Sequence, residues 1–172
     1  MDLSVKPAAL AIVRTSHEAE AELEILDCIL PYDLESRIVK LNAPGVLLIE
    51  SKLNGKDIIN IFRKCFVSQA KKIIPIDRVV GNSINEILNS VIMLSENIKD
   101  SNKTFKIYLK DYGKLNMSRE LMNIIAEKLK ERKGWTVNLK NPDIMVFLFI
   151  FNWGTILSLI ERNDVWELNK FL

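Results

Sequence analysis

Seventeen mostly apolar residues run from Ile144 to Ile160, and this run limits the fold of the 172-residue chain more than any other. A membrane-spanning helix needs about twenty residues. Asn152, Gly154, Thr155 and Ser158 interrupt this run at and beyond its middle. It is therefore read as two buried strands around a turn at Asn152-Trp153-Gly154. Met145 to Phe151 lacks the alternation of a strand with one wet face. Either a neighbouring layer covers both faces, or one face is an interface.

The chain before this run is punctuated by prolines and glycines. Residues 8–13 form an apolar run of strand length, and Thr15-Ser16-His17-Glu18 has the pattern of a capping box. A helix is expected from about Ser16 to Ile29, with Ala19, Leu23, Leu26 and Leu30 on one stripe, ended by Pro31. Arg37–Leu41 and Val46–Ser51 read as strands joined by the turn Asn42-Ala43-Pro44-Gly45. Asn54 and Asp57 open a second helix, with Ile58, Ile61, Phe62, Cys65 and Phe66 at helical spacing. Lys72–Ile76 is a last strand, placed at an edge by Pro75. This strand, helix, strand, strand, helix, strand order is ferredoxin-like, with both helices on one face. Cys28 and Cys65 fit no metal spacing and read as small buried hydrophobes; bridging them requires the two helices to lie side by side.

Asp77–Asn82 reads as a connector, and the domain boundary is placed near residue 80, giving domains 1–79 and 80–172. Ser83 and Glu86 suggest a capped helix to about Ile98, with Ile84, Ile87, Leu88, Val91 and Ile92 inward. Phe105–Leu109 alternates as a strand with Phe105, Ile107 and Leu109 on one face and Lys106, Tyr108 and Lys110 on the other. Ser118 is placed as the cap of a helix ending near Lys133, with Leu121, Ile124, Ile125 and Leu129 buried and Gly134 as its stop. Val137–Leu139 is a short strand. In the tail, Val165, Trp166, Leu168, Phe171 and Leu172 either cap the core or engage a partner.

Charge is unevenly spread. Lys103 to Lys140 holds ten basic and four acidic residues, whereas residues 1–100 hold twelve and fourteen, and 141–172 hold two and four. The net +2 of the whole chain thus conceals a basic block with an excess of six. Clustered positive charge suits a polyanion, because each contact with a phosphate releases counterions. Lys130, Arg132 and Lys133 are accounted for by the dipole at a helix C-terminus, which leaves Lys106, Lys110, Lys114 and Arg119 as the candidate phosphate ligands. The helix start at Ser118 would add backbone donors.

Catalytic patterns are missing. His17 is the only histidine, the six glycines form no phosphate-cradling motif, no Gly-x-Ser-x-Gly element occurs, and the acids are scattered. No cofactor or metal is expected. The N-terminus has no charged-then-apolar signal pattern, so a cytoplasmic, membrane-free protein is expected.

The segment Phe105-Lys-Ile-Tyr-Leu-Lys, then Ser118-Arg-Glu-Leu, then Lys133-Gly-Trp-Thr-Val-Asn-Leu-Lys-Asn-Pro-Asp143 resembles the THUMP domain of tRNA-modifying proteins. The likeness covers about residues 80–162, and its most specific part is Val137 to Asp143. It implies an α+β fold in which a ferredoxin-like domain precedes a THUMP domain, and recognition of the acceptor stem and 3′ end of tRNA. The chain shows no catalytic domain. With its Pro44-to-Leu48 turn and Ile74-to-Val80 linker, it is similar to the standalone THUMP proteins that assist tRNA cytidine acetyltransferase. The resemblance implies a non-catalytic adaptor with tRNA and a modifying enzyme as partners. The RNA-contacting set is then Lys106, Lys110, Lys114, Ser118, Arg119 and Lys140, with Asn141 and Asp143 fixing their turn. Few aromatics flank the basic block, mainly Tyr108, Tyr112 and Trp135, so shape and phosphate recognition is expected rather than extensive base stacking. The rival reading is an assembly module, with a homodimer or partner docked on the apolar hairpin.

Overall fold

The computed structural model describes residues 5–168; Phe171 and Leu172 lie outside the described residues. The elements follow as β1 (Lys6–Val13), α1 (Glu18–Ile29), β2 (Arg37–Lys40), β3 (Val46–Ser51), α2 (Gly55–Phe62) and β4 (Ala70–Pro75). They continue as β5 (Arg78–Val80), α3 (Ile84–Ser95), β6 (Thr104–Asp111), α4 (Ser118–Lys133), β7 (Thr136–Val137), β8 (Ile144–Phe151), β9 (Gly154–Glu161) and β10 (Trp166–Glu167). Two compact units result, one made of residues up to Ile76 together with those from Asn163 onward, the other of Asp77–Arg162. No helix among the described residues is long and apolar enough to cross a membrane.

In the first unit the strands are antiparallel in the order β10-β4-β1-β3-β2. The four strands β4-β1-β3-β2 form the ferredoxin-like arrangement expected from the element order. Its core is built from Ala9, Ala11, Leu47, Ile49 and Ile73 of the sheet with Ala21, Ile25, Ile29, Ile58 and Phe62 of the helices. Each fully buried Ile or Phe there contributes ~1.5–3 kcal/mol relative to an exposed one.

Four expectations for this unit are corrected. The inward stripe of α1 is Ala21, Ile25, Cys28 and Ile29, while Leu23 is exposed. The capping box does not form either: His17 precedes the helix without a capping bond, and the Glu18 carboxylate instead accepts the Gly45 N–H at 2.9 Å. Cys28 and Cys65 are joined in a disulfide, their Cα atoms 5.8 Å apart, Cys28 lying in α1 and Cys65 three residues past α2, which ends at Phe62 and not beyond Phe66 as its spacing suggested. Finally, the tail belongs to the first sheet: Trp166 and Glu167 pair with Ile73 and Lys72, short of Pro75, so β4 is not the edge along its whole length. Trp166 is buried against Phe62, ring centroids 6.3 Å apart, so the tail caps this core and not that of the second unit.

A polar knot closes the α1–β2 loop. Asp33, only 9% exposed, accepts bonds from the Ser36 and Ser51 hydroxyls at 2.9 and 2.6 Å and from the Lys52 and Glu35 N–H groups at 2.8 and 3.1 Å. Burial pushes its carboxyl up, but these four donors outweigh it and hold the pKa at about 2.

The second unit has the sheet order β5-β9-β8-β6-β7, with β8 and β7 parallel to β6 and the remaining pairs antiparallel. The apolar run forms the hairpin expected of it, with Phe151 opposite Gly154 across the turn. Val146, Leu148, Ile150, Leu157 and Leu159 on one face pack in a core with Ile87, Val91, Leu121, Ile125 and Leu129 of α3 and α4. Phe147, Phe149 and Phe151, on the opposite face, are also buried. The supposed connector contains β5, where Arg78–Val80 pair with Thr155–Leu157; three residues carry no readable period. α4 stops at Gly134, whose φ of 67° is a left-handed conformation that glycine adopts without strain.

Candidate nucleic-acid interface

β6 lies between β8 and β7, and its side chains divide as a pleated strand requires. Phe105, Ile107 and Leu109 pack in the helix-covered core. Lys106, Tyr108 and Lys110 occupy the other face, the two lysines ~13 Å apart along the strand. Tyr108 sets its ring edge-on to Phe147 at 5.7 Å, and the Lys110 ammonium stands 6.0 Å from the Tyr108 centroid. Ring contacts therefore hold the base of this ridge.

Past β6 the chain turns sharply. The Asp111 carboxylate accepts the N–H groups of Leu115 and Asn116 at 3.2 and 3.0 Å, and Lys114 and Asn116 take left-handed φ of 54° and 58°. This folding gathers Asp111, Lys114, Asn116, Ser118 and Arg119 around one shallow depression at the start of α4. Ser118 does not cap the helix: Met117 occupies that position with no side-chain bond, and Ser118 is the first helical residue. The first amides of α4, lacking partners one turn back, supply the donors and partial positive charge instead.

The basic block separates into engaged and unengaged charges. Lys103 pairs with Asp100 at 3.6 Å, Lys128 with Glu131 at 3.2 Å, and Arg132 with Glu96 at 3.6 Å. Lys133 donates to the Ile98 carbonyl at 2.6 Å and lies 5.5 Å from the Trp135 ring. No ion pair among the described residues involves Lys106, Lys110, Lys114, Arg119 or Lys140. Lys140 stands apart, in the loop at the start of β6, where Asn138 Oδ1 accepts the N–H groups of Lys140 and Asn141 at 3.1 and 3.0 Å. A strand of eight residues, ~23 Å, separates that loop from Lys114 and Arg119.

The turn residues serve the fold. Asp143 accepts the Thr104 N–H at 2.8 Å and its hydroxyl at 3.0 Å, which holds its carboxyl below the ordinary range, and Asn141 accepts from Arg162 at 3.1 Å. Trp135 is fully buried, its indole N–H donating to the Asp100 carbonyl at 2.8 Å, so it is unavailable to a ligand. Sequence reasoning overlooked Trp153, which is 55% exposed at the hairpin tip; its position in a two-residue turn was the signal. No group of three His, Cys, Asp or Glu among the described residues could hold a metal ion.

Residues 82–160 match the family model of the THUMP domain. No curated protein matches the sequence significantly. Among solved structures the chain is similar to PH1313 from Pyrococcus horikoshii, at 15% identity and a TM-score of 0.67 over 89% of this chain and 54% of that one. It is similar also to a 4-thiouridine synthetase solved with RNA and ATP (19%, 0.59, 93% and 42%) and to TrmN from Thermus thermophilus (14%, 0.60, 88% and 44%). At such identities the likeness is one of fold, and the chain spans about half of each of these proteins or less. The family match, the strand and helix order, and the Asn-Pro-Asp turn bonded back to β6 lead to one assignment: residues 82–160 are a THUMP domain.

Proposed function

We propose that this chain is a tRNA-binding accessory protein that presents the acceptor stem and 3′ end to a separate modifying enzyme, the product being N4-acetylcytidine. The observation that carries the reading is the set of basic side chains without acidic partners, Lys106, Lys110, Lys114 and Arg119, running along β6 to the first turn of α4 inside the THUMP segment. Phosphates can meet the cations one by one, and the free amides of α4 can bind an anion between them. Solved relatives of like fold include an enzyme crystallised with RNA, which favours RNA over other polyanions. The chain acts as a cytoplasmic adaptor without catalysis of its own.

The assembly reading has less support. Phe147, Phe149 and Phe151 of the apolar hairpin are buried within a single chain, which leaves them no free face for a second copy. Nucleoside analysis of tRNA from cells lacking the protein tests the adaptor role. Loss of N4-acetylcytidine is expected, and an unchanged profile would remove the acetylation assignment.

A further inference from the structure

The hairpin tip carries a feature that the charge pattern does not explain. Of the three tryptophans, Trp135 and Trp166 are buried, but Trp153 is 55% exposed. Its ring is nevertheless fixed. It lies parallel to Phe151 with centroids 5.1 Å apart and planes within 6°, and Phe151 stacks in turn on Tyr112 at 5.2 Å and 16°. Phe151 is buried in the middle, so Trp153 is the wet end of a three-ring stack.

The tip is also braced. Asn82 Nδ2 donates to the Phe151 carbonyl at 2.7 Å, and Asn82 Oδ1 accepts the Thr155 hydroxyl at 2.8 Å. The loop after β6 packs on it: a Cβ at Gly113 would lie 3.0 Å from the Phe151 carbonyl carbon and 3.1 Å from Asn152. Lys114, next in the chain, lines the basic depression with Arg119. A flat, pre-ordered ring thus stands on a tip packed against the loop that leads into the unpaired cations. A purely apolar partner would gain nothing from those cations, whereas a nucleotide uses both the ring and the charge.

We propose that Trp153 is a stacking platform for an unpaired base at the end of an RNA stem, whose adjoining phosphates are held by Lys114, Arg119 and the first amides of α4. The proposal rests on the RNA-binding reading above. It adds the residue that would meet the unpaired end, since only a stem with a single-stranded end can lay a base on the Trp153 ring. Stacking tolerates any base, so the platform reads the presence of an overhang and not its sequence.

The test uses the full chain and two RNA hairpins of identical stem, one blunt and one with four unpaired 3′ nucleotides. Affinity is read from the anisotropy of a fluorophore on the RNA, and in the unsubstituted protein Trp153 emission reports contact with the ring, since Trp135 and Trp166 are buried. The overhang RNA is expected to quench the emission and to bind roughly tenfold tighter, the effect of about one stacked base. In Trp153→Ala that advantage should vanish while blunt-stem affinity stays, and Trp153→Phe should retain part of it. Unaltered emission of Trp135 and Trp166 in both variants reports an intact fold. Equal affinity of the unsubstituted protein for both RNAs, or an advantage that survives Trp153→Ala, overturns the platform while RNA binding stands. Failure to bind either RNA overturns both readings.

Discussion

Asp143 and Thr104 bind each other reciprocally: the carboxylate accepts the threonine N–H and hydroxyl, and the Thr104 oxygen accepts the Asp143 N–H at 3.1 Å. The Asn-Pro-Asp turn is thereby fastened to the first residue of β6, the strand that carries Lys106 and Lys110. Asp143→Ala should loosen that end of the strand without removing a cation. Amide exchange at Thr104 and Asp143 is expected to quicken while that of Phe149 and Ile150 stays slow. Uniform exchange across β6 and β8 would show that the turn bonds are dispensable.

The division of the basic block into engaged and unengaged charges predicts opposite phenotypes. Lys106→Glu with Lys110→Glu should weaken tRNA binding more than tenfold and lower the slope of log affinity against log salt by about two. Stability should hardly move, since neither lysine stands in an ion pair among the described residues. Lys133→Ala should do the reverse, costing about 1 kcal/mol by leaving the Ile98 carbonyl unpaired, with tRNA affinity unchanged. Binding titrations and urea melts of both variants separate the two roles. Unchanged affinity in the double variant would exclude the β6 ridge as the RNA surface.

The Cys28–Cys65 bond closes a span of 37 residues that includes β2, β3 and α2. Constraining that span in the unfolded chain is worth between ~2 and ~4 kcal/mol. Cys28→Ser with Cys65→Ser should lose that amount in denaturant, and reductant should destabilise the unsubstituted protein but not the variant. A variant as stable as the parent would remove the bond as a source of stability.

Asp33 predicts an acid-sensitive step. Its folded pKa, about 2, lies below the ordinary 3.8. The stability it contributes is therefore present above pH 4 and lost as pH falls toward 2. Asp33→Asn should cost on the order of 1–2 kcal/mol at neutral pH and flatten the decline of stability between pH 4 and 2. An acid limb of the same steepness in the variant would assign that decline to other carboxylates.

Legibility followed signal length. Pro31, the Pro44-Gly45 turn and Pro75 divided the first unit into segments long enough to show their periods, and the apolar run could hide only as a hairpin. Where two stripes fit one helix the pattern could not choose: α1 offered Ala19 and Leu23 as readily as Ala21 and Ile25, and contact with the sheet decided for the latter pair. The disulfide depended on a 5.8 Å Cα separation created by bringing α1 against the segment that follows α2. The role of Ser118 turned on where the first helical dihedral falls, one residue from the place the hydroxyl suggested. Lys106 and Lys110 could be placed on one face from alternation alone. The exposure of Trp153 and the burial of Trp135 are tertiary outcomes, and composition treats the two residues alike.

β10 reaches β4 only after the whole of the second unit has intervened in sequence. On a ribosome, which releases the chain from its amino end, Asp77–Arg162 would be free to fold while the first sheet still lacked its outermost strand. The Phe62 ring would wait uncovered until Trp166 emerged. Completion of the first unit thus waits on residues made after the whole of the second, and a chain cut short after Arg162 would carry a finished second unit and a first unit with an open seam.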